Sequence, residues 1–561
     1  MNRTLRKAMR TPAGIGFALV LGLTGCQEPN DLPSRTMPTV QSDVEPEAAP
    51  SFETVEITTS RVLNDIDPSK LRNGDTMDDN PISRWAEKRF GVVQRNKWIV
   101  ADEAALEQRI RLALAGEEEL PDVLYLNDSI LPILLKDVAA SGRFLDVGEA
   151  FEKYASPRLK EAYRNDPDVW RTVKLDGKLW GLPTLTDGKM GDPILWIRKD
   201  WLDTLGLPEP KTLRQFEEVL DGFANSDPDR NGKKDTVGLA LAGQNSLNDW
   251  MGDASFLFGA NGDQPYQWNR MEDGSIAYGS IQPEIERSLT VLSEWYKAGY
   301  LSPDFGTHDV HEAVELFMSG KAGMISGPGW MGGWPLSEPS ELPEGEAKPQ
   351  FKPIPFPAGE DGTIGRRGSK ISYGSYVFRA GFEHMDRIFE YLDAVYGSLI
   401  EDPKSDFAIG YAEGYDYLIE DEEVTYNLPD YTSTISQHFL VAPGIPPGVK
   451  EDSLEARVYR GQVETSYEKR LAATSSRLFL EGKIVEDIQL RYAQKDAFMG
   501  PRSAAMQAKW PALQQLEREA FLKIVYGQAS PDTFRDFVRD WRAYGGDNLT
   551  REVNEWDRMN R

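Results

Sequence analysis

One cysteine, Cys26, stands in 561 residues, so no internal disulfide is available and the folded chain must be held by packing, helix caps and any metal it binds. From Val55 onward short apolar runs alternate with helical patterns, the signature of α/β architecture. Val55-Glu56-Ile57-Thr58 predicts a first strand, Pro81 to Phe90 a helix, and Val92 onward a second strand. Pro121 to Leu126 predicts a buried strand ending in the polar Asn127-Asp128. Thr212 with Gln215 offers a capping box, and Phe216, Val219, Leu220 and Phe223 then recur at i, i+3, i+4 and i+7. Ser530-Pro531 opens another helix, with Phe534, Phe537, Val538 and Trp541 as its buried stripe and Gly545-Gly546 as its stop. Trp295 and Trp541 keep helical spacing with other apolar residues and are expected to be packing. From Ser51 the body holds about 510 residues, too many for one core, so two lobes or more are expected.

Ahead of this body, Arg3, Arg6, Lys7 and Arg10 precede an apolar stretch from Ala13 to Leu23, the pattern of a secretory leader. The stretch is shorter than the roughly 20 apolar residues a membrane helix needs. It ends in Leu23-Thr24-Gly25-Cys26, which resembles the lipobox of bacterial lipoproteins. The resemblance implies a signal peptide over 1–26, acylation at Cys26, and a membrane reached only through that lipid anchor, on the extracellular or periplasmic face. Residues 27–50 carry five prolines and no aromatic side chain, a composition that makes a solvated tether of roughly 25–30 Å mean span. Removing the four basic residues of the leader takes the formal charge from −27 to −31. A field of that sign repels nucleic acid and anionic head groups, and excludes both as ligands.

The sharpest chemical signal is Asp227-Pro228-Asp229-Arg230-Asn231-Gly232-Lys233-Lys234-Asp235. Oxygen-bearing side chains stand at positions 1, 3, 5 and 9 of an EF-hand-type loop, with glycine at position 6 for its sharp turn. Asp227, Asp229, Asn231, Asp235 and the Lys233 carbonyl are the expected ligands of a structural calcium ion. Position 12 is Gly238, so the bidentate glutamate of a full EF-hand is absent; an Asp/Asn/Gly surface turn is the competing reading.

Asp122-Val123, Gly142-Arg143-Phe144-Leu145-Asp146-Val147, Asp176 to Pro183, and Ile197-Arg198-Lys199-Asp200-Trp201-Leu202 with Leu205-Gly206-Leu207 together resemble the landmarks of bacterial extracellular solute-binding proteins of the carbohydrate-uptake class. The resemblance is strongest to the large lipoprotein branch that includes alginate-oligosaccharide-binding members. Those members place an acidic residue after the last Asp of the calcium loop, where this chain has Thr236. The resemblance implies a type II periplasmic-binding-protein fold, two α/β lobes joined at a hinge with the ligand in the cleft. Lobe one would hold 51–187 and 372–438, lobe two 188–371 and 439–561. It further implies a monomer that hands an oligosaccharide to the transmembrane subunits of an ABC permease.

Sugar recognition uses flat aromatic faces against C–H surfaces and planar polar groups for hydroxyls. Trp330 and Trp334, in the glycine-rich 326–334 run, sit where the resemblance puts a cleft aromatic. Trp250, Tyr415, Asn80 and Asp187 are further candidates, and Asn127 is one by its position at a strand's carboxyl end. For these the core or turn reading competes. A secreted glycoside hydrolase with two carboxylates across a cleft is the alternative of a different class, and a sugar-sensing receptor subunit is another. His308-Asp309-Val310-His311-Glu312 fits neither zinc-protease helix signature, and no nucleophile elbow or Walker loop is present. Gly362-x-x-Gly365-x-x-Gly368 is not the dinucleotide fingerprint, and Arg366-Arg367 inside it reads as an exposed turn.

Overall fold

The computed structural model describes residues 53–337, 348–447 and 452–561; the expected leader, Cys26 and the expected tether lie outside them. The predicted first strand runs longer than its apolar signature, over Val55–Val62, and the helix Pro81–Phe90 falls where expected. Asn80 caps that helix, and Gly91 at φ 67° ends it. Strands Val92–Val100 and Val123–Asn127 flank the first strand in parallel. Gly374–Phe378 then joins antiparallel beside Val123–Asn127, and Leu182–Pro183 closes the far edge.

Between Pro183 and Gly374 the chain builds a second sheet in the order Phe351–Ile354, Pro193–Arg198, Ala322–Pro328, Val237–Ala240. Its central strand Pro193–Arg198 is buried along its whole length because both faces are covered. Leu195 and Ile197 point into one core with Phe216, Phe223 and Trp295, while Ile194 and Trp196 point into another with Phe317 and Met331. The first sheet divides in the same way: Ile57 and Val123 face one cluster, Leu124 and Leu126 the other. The architecture is therefore two α/β lobes, each a sheet with a core on both faces.

Local chemistry explains where elements begin and end. Thr212 caps the helix Leu213–Asn225 by accepting the Gln215 N–H, but the Gln215 side chain accepts from Lys211 rather than closing the expected box on Thr212. The stripe Phe216, Val219, Leu220 and Phe223 is buried. Ser530-Pro531 begins a short 3-10 turn before the helix Phe534–Trp541. Gly545-Gly546 does not stop the chain's helical course as predicted: Gly545 at φ 119° turns it, and a further helix Asp547–Asn560 follows. Among the described residues no helix is long and apolar enough to cross a membrane.

Candidate functional site

A cavity of about 780 Å³ is lined from both sheets and from the C-terminal helices. The first sheet contributes Asp128, which follows Val123–Asn127, and Tyr373, which precedes the returning strand; the Asp128 N–H donates to the Tyr373 carbonyl at 3.0 Å. The second sheet contributes Trp250, in the loop after Val237–Ala240, and Trp330, two residues after Ala322–Pro328. C-terminal residues Phe498 and Trp510 complete an aromatic wall with Trp268 and Tyr266.

The turn that presents Trp330 is fixed from behind. A Cβ at Gly329 would lie 2.8 Å from the Gly482 carbonyl oxygen, and one at Gly482 would lie 2.2 Å from the Gly329 oxygen, so these backbones meet only as glycines. Glu486, on the helix Arg477–Gln489, accepts the Gly329 N–H at 3.2 Å and pairs with Lys483. Burial pushes the Glu486 carboxyl up to about 7, against the pull of Lys483. So held, the Trp330 ring lies 5.6 Å from Trp250 at 32° and 6.2 Å from Trp334 at 23°. Trp334, 44% exposed, extends the row outward beyond the cavity lining.

Asn127 stands next to the cavity, but its carboxamide oxygen is engaged by the Ser129 and Ile130 N–H groups and the Ser129 hydroxyl. Asp187 likewise accepts the Lys189 N–H, three residues before cavity-lining Met190. Asn80 and Tyr415 are elsewhere. The Asn80 side chain is wholly buried as a helix cap, and the Tyr415 hydroxyl donates to Asp75 at 2.6 Å in the first lobe's core region. Both fall to the capping and packing reading.

The reading of Arg366-Arg367 as an exposed turn is overturned. They form a short parallel pairing with Ala493–Gln494; Arg366 is fully buried against equally buried Asp192, and Arg367 pairs with buried Asp253 at 2.6 Å while lining the cavity. Burial without solvent demands an opposite charge, and both partners are over 100 residues away in sequence. Lys370, also lining the cavity, pairs with Asp128. Asp496, exposed to solvent, accepts the Trp268 and Phe498 N–H groups through one carboxylate oxygen. Burial raises the Tyr373 phenol to about 12. Trp268, Tyr266, Trp510 and these charged residues carried no sequence signal that set them apart from core or surface.

In the loop Asp227 to Asp235, Gly232 takes φ 73° and its N–H donates to Asp227. The Asn231 side-chain amide donates to Asp229 at 2.8 Å and to Asp235 at 3.0 Å, its oxygen accepts the Lys233 N–H, and Lys321 pairs with Asp235. Burial and the neighbouring carboxylates raise the Asp229 carboxyl. Two carboxylates, Asp229 and Asp235, thus turn onto one side-chain amide, while Asp227 accepts the Asn231 and Gly232 backbone N–H groups. Among the described residues no group of three or more His, Cys, Asp or Glu side chains is arranged to hold a metal ion. Thr236 is buried, its hydroxyl donating to the Phe223 carbonyl, so its side chain is directed to the core rather than to the loop.

Two lobes around a cavity that mixes stacked rings with polar groups define a ligand-binding protein. The chain belongs to the bacterial extracellular solute-binding proteins, whose family model matches residues 97–398. It is 31% identical over 225 residues to the polygalacturonan/rhamnogalacturonan-binding protein YtcQ of Bacillus subtilis (strain 168), a match over 40% of this chain and 42% of that one. The chain thus spans less than half the length of the curated relatives it matches. Its fold is similar to that of the S. pneumoniae ABC-transporter substrate-binding protein FusA, solved as an EF-hand mutant in complex with fructo-nystose (TM-score 0.59, 17% identity, covering 91% of this chain and 99% of that one). It is also similar to the alginate-binding protein AlgQ2 solved without calcium ion (TM-score 0.57, 17% identity, 90% and 97% covered).

Proposed function

We propose that this chain captures an oligosaccharide in the cavity between its two sheets and delivers it to the membrane subunits of an ABC transporter. The observation that carries the reading is the row Trp250, Trp330, Trp334 leading into a cavity with polar side chains from both sheets. Rings cover the apolar faces of pyranose or furanose units, and charged and amide groups take the hydroxyls. The names of YtcQ and FusA support the ligand class. Because the wall is contributed by both lobes, a ligand touching both stabilises their approach by its differential affinity for the closed form. The hinge would lie where the chain passes between sheets, near 184–192 and 355–373, with the lobe boundaries read from the sequence.

Secretion and a lipid anchor at Cys26 complete the reading, with no catalytic step and a monomeric carrier. Calcium would be held by Asp227, Asp229, Asn231, Asp235 and the Lys233 carbonyl; bound there, it would neutralise the carboxylates that now crowd one amide. The test is calorimetric titration of the full-length chain with neutral and acidic oligosaccharides, followed by recovery of the sugar. A sugar that binds and returns intact supports capture, whereas one that returns cleaved favours the hydrolase. Trp330→Ala should weaken binding about tenfold, stacking being one of several contacts; unchanged affinity would remove Trp330 from the site.

A further inference from the structure

This inference rests on the sugar-capture reading and names the kind of sugar. Four cationic side chains line the cavity: Arg367, Lys370, Lys495 and Arg502. The first two are neutralised, by Asp253 and Asp128. Lys495 and Arg502 are half-buried, and among the described residues neither side chain has a hydrogen-bond or ion-pair partner.

The acids facing the same space do not supply one. Asp128 is committed to Lys370. Asp249 is held by the Trp250 N–H and the Asn245 side chain. One Asp496 oxygen is taken by two backbone N–H groups. Asp166, farther off, is only within electrostatic reach of Lys495. In a chain of formal charge −27, where neutralising carboxylates are abundant, two half-buried cations left without a contact partner mark a place where the counter-charge arrives from outside. Both are placed by backbone structure. Lys495 follows the strand pair that joins Arg366–Arg367 to Ala493–Gln494, and the Arg502 N–H is held by the Pro132 carbonyl at 2.8 Å. Between them in sequence is Phe498, and beyond them Trp510, both lining the same wall.

We propose that Lys495 and Arg502 receive carboxylates of the ligand, and that the captured sugar is an oligouronate. A uronate unit offers an apolar ring face to Phe498 or Trp510 and a carboxylate to the planar Arg502 fork or the Lys495 ammonium.

The experiment titrates the purified full-length chain calorimetrically with trigalacturonate and trimannuronate, and with the same two sugars reduced at C6 to their neutral forms. At least one uronate should bind about tenfold or more tightly than its reduced form, and added salt should weaken that binding. Lys495→Gln and Arg502→Gln should each lose about tenfold for the uronate and clearly less for its neutral form. Melting temperature checks that each variant is folded; should Arg502→Gln fail, Arg502→Lys keeps the charge without the fork and should show a smaller loss confined to the uronate. Equal affinity for charged and neutral forms, or variants that lose both alike, overturns the inference and leaves sugar capture standing. No binding by either kind of sugar overturns both.

Discussion

The loop Asp227 to Asp235 and the paired strand at Arg366-Arg367 both concentrate charge, by opposite means. In the loop every anchoring partner of Asp227 and Asp229 is a group within five residues, and neither side chain is closed off from solvent: Asp227 is half-buried and Asp229 mostly exposed. At Arg366 and Arg367 the partners are Asp192 and Asp253, brought in by the return of the chain between sheets, and three of the four side chains are wholly shielded from water. Local charge clusters are bound by chain geometry and cost little when perturbed. Long-range pairs in a dry interior are bound by the whole fold, and the loss of one partner strands the other.

The largest effect expected from breaking this contrast is at Arg366. Arg366→Leu leaves Asp192 buried without its cation and should lower unfolding free energy by about 3–5 kcal/mol, read by urea denaturation. The Arg366→Leu, Asp192→Leu double variant should recover most of it, and a double variant as unstable as the single would show that the pair is not what matters. A buried acid with no cation at all sharpens the point: Glu517 accepts the Tyr278 hydroxyl at 2.7 Å, and burial pushes its carboxyl up to about 7. A raised acid binds its proton more tightly folded than unfolded, so its contribution is full below pH 4.5 and is lost as pH rises through about 7. Between pH 5 and 8 the wild type should lose roughly 2–3 kcal/mol that Glu517→Gln retains, the two curves converging if Glu517 is not the group. The smallest effect belongs to the loop. Asp227→Ala with Asp229→Ala should change stability without calcium by about 0.5 kcal/mol or less, yet abolish any calcium-dependent rise in melting temperature. A double variant that still gains from calcium would place the ion elsewhere.

The same contrast decides what was legible in the sequence. Pro81 at a helix start, Thr212 before Leu213 and the stripe Phe216, Val219, Leu220, Phe223 act within a turn or two, so local pattern located those helices. Trp250 and Trp330 were readable because glycines or polar residues beside a large ring suggest an exposed loop. Asn80 and Tyr415 looked equally polar and aromatic, but capping and a hydroxyl bond to Asp75 use them up. Arg366, Arg367, Lys495 and Arg502 were invisible as site residues because a charged side chain looks the same in a chain whether its partner is water, a distant aspartate or nothing. Gly545-Gly546 misled for a related reason: glycine marks a change of direction, and the helix beyond it is held by long-range contacts, Leu549 and Val553 in the second lobe's core and Asp557 paired with Arg171 and Arg270.

The row of three indoles has a spectroscopic consequence. At centroid separations of 5.6 and 6.2 Å, Trp250, Trp330 and Trp334 are near enough for their excited states to mix, and the outermost is in water. The row is a built-in optical antenna: its near-ultraviolet dichroism and the colour of its emission are set by the tilt between neighbouring rings and by the wetness of the last one. A ligand laid along it changes both at once, so occupancy can be followed in the native protein with no label attached.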